Sequence, residues 1–381
     1  MIRRIAFLLA AIIALLAAAF FIGPVYRIDP RVTQPALPGD LDAWLAAAEQ
    51  SHRDIVPGTE KSIVWAHADR RRTPLAIIYL HGYSATRKEV EPLCDRLAEQ
   101  LGANLYYTRL AGHGREGRAL GSVTGGDWLQ DAAEALAVGR QIGERVLVVG
   151  TSTGGTLALW LAQQPGAADI AAQLLISPNL GPLDSRAELL AGPWGRQLQQ
   201  ALIGAEYRWE PANALQAKFW TWRYPAQALV PMMALVKLVR DSPLEDIRTP
   251  TLFIYSPKDQ VVSPARIEQA FARIGTPVKQ AHRVERSQDR AHHVLAGDIL
   301  APAGTDALLA TMLGFLRERV PGVAPLFRPP SHVRAETVPR VETQPPSDNP
   351  APGVTFTADR GAHVPAFPEK TSRPEQDSIH P

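Results

Sequence analysis

Gly150-Thr151-Ser152-Thr153-Gly154 sets a serine midway between two glycines, after the apolar run Arg145 to Val149 and before Gly155-Thr156-Leu157-Ala158-Leu159-Trp160. This order reads as strand, sharp turn, helix. A serine at such a turn has a strained backbone and a hydroxyl that projects above the sheet, and the flanking glycines remove side chains that would collide. The chemistry it suits is nucleophilic attack on a carbonyl, with Ser152 as the nucleophile. A plain glycine-rich turn has the same five residues, so the pattern must find partners: a base, a group that orients the base, and donors for an oxyanion.

Those partners occur in one order along the chain. His81-Gly82-Tyr83 follows the apolar run Pro74 to Leu80. Gly82 there lets backbone approach a substrate, and the N–H groups of Tyr83 and of Thr153, the latter free at a helix start, are the expected oxyanion donors. His81 and Gly82 are expected to border the substrate. Downstream, Asp259 is the only carboxylate in the loop directly after the run Thr251 to Ser256, where an orienting acid should sit. His292-His293 lies in the last loop before a final helix. Two adjacent side chains cannot both face the serine, and His293 is chosen because Val294-Leu295 can pin the backbone behind it. His113, between glycines and upstream of the serine, reads as a structural loop residue.

The elements that must position these groups alternate. Strands are expected at Ser62–Ala66, Pro74–Leu80, Asn104–Thr108, Arg145–Val149, Gln173–Ser177, Thr251–Ser256 and Val278–Val284. Helices between them include Arg87–Leu101 and Asp127–Ile142, the latter with Asp127 as a capping residue. The pattern predicts an α/β fold: a mostly parallel central sheet with helices on both faces. The alternation breaks at 178–243, a Pro-interrupted aromatic stretch that holds four of the chain's eight tryptophans. It is expected to form a helical cap inserted between the two core parts, 62–177 and 244–320. Its aromatics can hold the cap to the sheet or line an apolar pocket, and Trp220 and Trp222 are the substrate-binding candidates.

The two ends differ from the core. Arg3 and Arg4 precede an uncharged apolar run from Ile5 to Ile22, so 1–23 is expected to be a membrane anchor, or a cleaved signal. That would place the rest on the extracytoplasmic, periplasmic side, anchored or secreted. Residues 24–61 form a lead-in with one helical patch, Leu41–Gln50, expected to space the domain from the membrane. From Pro321 to Pro381 the chain is rich in Pro, Ser, Thr and charge and is expected to be disordered, with a docking partner as one use. A formal charge of +2 gives no footing for nucleic acid, and the lone Cys94 allows no internal disulfide.

Taken together, His81-Gly82, Gly112-His113-Gly114, Gly150 to Gly154, Asp259 with Val261-Val262, and His293-Val294 resemble the α/β-hydrolase superfamily, over about residues 62 to 320. Within it the chain resembles the monoacylglycerol lipase-like and serine aminopeptidase-like esterases and lysophospholipases. The resemblance implies a serine hydrolase that cleaves carboxylic esters, lipid-like ones first (as a lysophospholipase, monoacylglycerol lipase or carboxylesterase), through an acyl-enzyme and with no metal or cofactor. A thioesterase, peptidase or carbon–carbon hydrolase would use the same triad, and a non-catalytic binding protein would keep the fold alone.

Overall fold

The computed structural model describes residues 2–326. In chain order its helices are α1 (Ile2–Phe21), α2 (Leu41–Gln50), α3 (Leu93–Leu101), α4 (Gly117–Leu120), α5 (Gly125–Ile142), α6 (Thr153–Leu161), α7 (Gly195–Leu202), α8 (Ala214–Phe219), α9 (Leu229–Arg240), α10 (Pro264–Arg273) and α11 (Thr305–Arg319). The strands are β1 (Ser62–Val64), β2 (Thr73–Leu80), β3 (Asn104–Tyr107), β4 (Gly143–Thr151), β5 (Ile170–Ile176), β6 (Glu206–Arg208), β7 (Arg223–Pro225), β8 (Thr251–Tyr255) and β9 (Lys279–Arg283). The main sheet has seven strands in the order β1-β3-β2-β4-β5-β8-β9. Only β1 runs antiparallel to its neighbour; the others pair in parallel.

Both faces of this sheet are covered, which explains the near-continuous apolar text of β2 and β4. Successive side chains point to opposite faces. Ala76, Ile78 and Leu80 of β2 therefore pack with Trp128 and Leu129 of α5 and Leu157 of α6. Leu75, Ile77 and Tyr79 pack on the other side with Leu93 and Leu97 of α3 and Met312 and Phe315 of α11. Helix α5 starts two residues before the expected position. Thr124 is its N-cap, and Asp127 completes a capping box as the third residue.

Among the described residues no helix is long and apolar enough to cross a membrane. Helix α1 takes Arg3 and Arg4 into its first turn and ends at Phe21. Its uncharged part, Ile5–Phe21, is about 25 Å long at 1.5 Å per residue, short of a hydrocarbon core of ~30 Å. The expected N-terminal anchor, the membrane contact through it, and the extracytoplasmic placement drawn from it are corrected by this finding.

The lead-in packs on the core. Asp40 caps α2 through its side chain, Leu41 and Leu45 join the core, and Glu49 makes a buried bidentate ion pair with Arg109 at 2.7 and 2.9 Å. Upstream, Gln130 of α5 exchanges hydrogen bonds with the Thr33 backbone at 2.9 and 2.8 Å. At the other end, residues 321–326 close on the core, with Val323 buried and Arg145 donating to the Pro321 carbonyl at 3.1 Å. The remainder of the expected Pro-rich tail and its docking role lie outside the described residues.

The insertion is not wholly helical. Besides α7, α8 and α9 it contains the antiparallel pair β6–β7, in which Tyr207 opposes Tyr224. These strands are three residues each and are separated by α8, too short for an alternating pattern to show in the sequence. The cap is tied to the sheet's end: the Thr221 N–H donates to the Ser84 carbonyl at 2.7 Å. Trp220, Ala85, Val294 and Leu300 form one apolar cluster.

Candidate active site

Strand β4 ends at Thr151 and α6 starts at Thr153, which leaves Ser152 alone in the turn at φ 52° and ψ −117°. That conformation costs a non-glycine residue on the order of 1–3 kcal/mol and persists only where the surroundings over-determine it. Here they do. The Ser152 N–H donates to the Ile176 carbonyl at 2.8 Å, and the Ser152 carbonyl accepts from the N–H groups of Gly155, Thr156 and Asn179 at 2.9, 3.2 and 2.9 Å. A Cβ on Gly154 would collide with the Leu80 carbonyl, and one on Gly150 would lie 2.5 Å from the Gly154 carbonyl oxygen. Both glycines are therefore needed for close approach.

The turn after β2 lies against this serine. A Cβ on Gly82 would come 3.2 Å from the Ser152 Cβ. Among the described residues, the N–H groups of Tyr83 and Thr153 have no hydrogen-bond partner. Both are thus available to a ligand oxygen beside Ser152. The His81 ring is fully buried, bonded through Nδ1 to the Gly82 carbonyl at 2.9 Å and through Nε2 to the Leu110 N–H at 3.0 Å. Burial pushes its pKa well below the ordinary histidine range, so it shapes the turn as a neutral ring. The Tyr83 ring packs edge-on against His113, Trp128 and Tyr224. His113 is buried with Nδ1 3.0 Å from the Ala111 carbonyl, and burial lowers its pKa to about 4.

Asp259 and His293 meet at the same end of the sheet. Nδ1 of His293 lies 2.8 Å from Oδ2 of Asp259. The other oxygen, Oδ1, accepts from the N–H groups of Val261 and Val262 at 2.7 and 2.9 Å. Asp259 is thereby held by its own loop, and the cap of α10 is Ser263 instead. The histidine loop is fixed by Asp289, whose Oδ2 accepts from the N–H groups of both His293 and Val294 at 2.9 Å. His292 takes φ 53°, which turns consecutive side chains apart. The residues after β5 join the two halves: the Ser177 hydroxyl donates to the His293 carbonyl at 2.8 Å, while Ile176 and Asn179 hold the Ser152 backbone. Burial is the largest influence and works against a charged His293, but the carboxylates around it, Asp259 first and then Asp289 and Glu89, together raise the imidazole pKa.

Residues 72–295, more than half of the chain and all of these groups, match the family described as serine aminopeptidase, S33 (Hydrolase_4). The chain belongs to this family of serine hydrolases. It is a monoacylglycerol-lipase-like member of the α/β-hydrolase superfamily. A thermostable monoacylglycerol lipase from Bacillus sp. (strain H-257) is 26% identical over 231 residues, 60% of this chain and 86% of that one. Among solved structures, one from work on the metagenome-derived lipolytic enzymes LipS and LipT shares 21% identity at a TM-score of 0.54, over 69% of this chain and 99% of that one. A soluble variant of the Saccharomyces cerevisiae monoglyceride lipase, bound to a substrate analogue, shares 14% identity at a TM-score of 0.54, over 70% and 97%. At these identities the two structures show a shared fold.

This hydrolase carries three groups at the site that residue patterns did not single out. Glu89 lies under the Gly82 turn, Asp289 holds the histidine loop, and Asn179 reaches toward Thr153 Oγ1 at 3.4 Å and Met232 Sδ at 3.6 Å. Ser287-x-Asp289 ahead of the histidines was a readable turn signal for Asp289. Of the cap candidates, Trp220 is 8% exposed and packs on Val294, next to His293, whereas Trp222 is 37% exposed. A surface depression of about 380 Å³ lined by Trp160, Gln163, Gln164 and Leu238 lies at the far end of α6, away from Ser152.

Proposed function

We propose that this chain hydrolyses carboxylic esters of lipid-like acids, of the monoacylglycerol or lysophospholipid kind, by two-step acyl transfer. Ser152 attacks the ester carbonyl as His293 takes its proton, and Asp259 orients the imidazole and stabilises its charged form. The Tyr83 and Thr153 N–H groups hold the oxyanion; His293 returns the proton to the leaving alcohol, and water then releases the acid by the reverse sequence. What supports this reading is a strained Ser152 at the end of β4 and an Asp259–His293 pair at 2.8 Å after β8 and β9, at the same end of the sheet. The apolar cap over them, with Trp220 beside the histidine loop, supports an acyl chain over a polar substituent.

A panel of chromogenic esters of increasing acyl length, run beside aminoacyl amides, tests the substrate class. The reading predicts ester turnover that rises into medium or long acyl chains and is abolished in Ser152→Ala. Turnover of the amides in preference to the esters would replace it with the peptidase reading that the family's description names.

A further inference from the structure

Beneath the Gly82 turn lies a carboxyl group for which acyl transfer assigns no step. Glu89 ends the 3-10 turn Arg87–Glu89 and is 2% exposed. Its Oε1 accepts from the Gly82 N–H at 2.5 Å and from the Tyr79 hydroxyl at 2.7 Å. That hydroxyl is also 3.0 Å from Oγ1 of Thr151, the residue before the nucleophile. A Cβ on Gly82 would fall 2.9 Å from Oε2 of Glu89 and 3.2 Å from the Ser152 Cβ, so carboxyl and nucleophile press on one glycine. On the other side, the Glu89 carbonyl backs onto Gly297, and the Asp298 N–H donates to the Glu91 carbonyl at 3.0 Å. One short turn thus touches the oxyanion loop and the segment that follows His293.

We propose that Glu89 is a positioning residue of this site: it anchors the oxyanion-binding turn from below and sets a carboxylate charge within range of His293. The proposal rests on the ester-hydrolase reading above. Burial pushes the Glu89 pKa up to about 7, against the hydrogen bonds from Tyr79 and Gly82 that favour its charged form. The charges of Glu89 and His293 act on one another. Tyr79 from β2, Cys94 from α3 and His293 from the loop after β9 face this carboxyl; Asp259 and Asp289 act on His293 as well. Glu89 thus adds a third carboxylate to Asp259 and Asp289 in acting on His293. An ionised Glu89 favours the imidazolium and raises the pH at which His293 becomes a free base.

Glu89→Gln separates charge from structure, because an amide oxygen in place of Oε1 keeps both hydrogen bonds. The experiment measures kcat/KM for a chromogenic ester, and the rate of fluorophosphonate labelling, against pH on the full chain. Glu89→Gln is expected to move the acid limb of both profiles down by about half a pH unit or more, with less than a tenfold loss on the alkaline plateau. Glu89→Ala, which also removes the anchor, is expected to lower kcat about 10²-fold, the scale of a small misplacement at a reacting centre. Tyr79→Phe keeps the carboxylate but removes a hydrogen bond that favours its charge, and is expected to move the limb the same way by less. An acid limb unmoved in folded Glu89→Gln overturns the proposal, and if that variant does not fold, an unmoved limb in Tyr79→Phe does so. Wild-type protein that is never labelled overturns the ester-hydrolase reading itself, and this proposal with it.

Discussion

At Ser152 the backbone is pinned by four hydrogen bonds from the start of α6 and the end of β5, while in the cap Trp222 stands 37% exposed with its carbonyl bonded to the Trp209 N–H at 3.0 Å. The serine turn is set by backbone geometry that tolerates no added atom at Gly154. The cap is set by side-chain packing: Tyr224, Ala228, Leu235 and Val239 join the main core, while Trp222 stays partly exposed. Reaction chemistry thus sits where the structure is over-determined. On the proposed reading, choice of substrate falls to the cap.

The comparison is tested most severely within the adjacent histidines. His293→Ala should lower kcat on the order of 10⁴- to 10⁶-fold, as groups that act as a unit do, while His292→Ala should stay within about threefold, since φ 53° at His292 turns its side chain away from that of His293. Steady-state kinetics on one ester checks both, and equal losses would undo the assignment. Next comes the turn itself. Gly154→Ala places a methyl against the Leu80 carbonyl, and overpacking of this kind costs about 1–3 kcal/mol. A thermal melt should show the upper end of that range, because backbone cannot rotate away.

In the cap the expected effects are smaller and fall on KM. Trp220→Ala removes a buried ring beside Val294 and should cost about 3 kcal/mol of stability, together with a raised KM for long acyl chains. Trp222→Ala should change stability by no more than about 0.5 kcal/mol, as exposed positions do. Chain-length profiles of the two variants show whether the cap reads the acyl group. The finest test is pH. The pKa of His293 is raised from 6.5 because Asp259, with Asp289 and Glu89, together outweigh burial, and the proposed base needs the neutral ring, so kcat/KM should fall as pH drops through a value above 6.5. Asp259→Asn should shift this limb to lower pH as well as lower the rate.

Much of this was legible from residue order, for reasons the geometry makes plain. Strands β2, β4 and β5 are covered on both faces, so each reads as a largely apolar run, and the serine motif is local because its constraint is local. Asp259 could be read because the loop after β8 holds no other carboxylate. Glu89 could not: its weight comes from Tyr79 and Gly82, which fold over it, and a charged residue at a helix start looks like any other. The lead-in was opaque for the same reason, since Glu49 finds Arg109 sixty residues away. At the N-terminus composition misled: the apolar run reads as long enough to span, but α1 ends at Phe21 and no described helix is long and apolar enough to cross a membrane.

The central claim is that Ser152 is the nucleophile. Reaction of the full chain with a fluorophosphonate probe, followed by mass spectrometry of the labelled peptide, addresses it directly. The account predicts stoichiometric modification at Ser152 and no labelling of Ser152→Ala. Labelling that persists in Ser152→Ala, or maps to another residue, would contradict it.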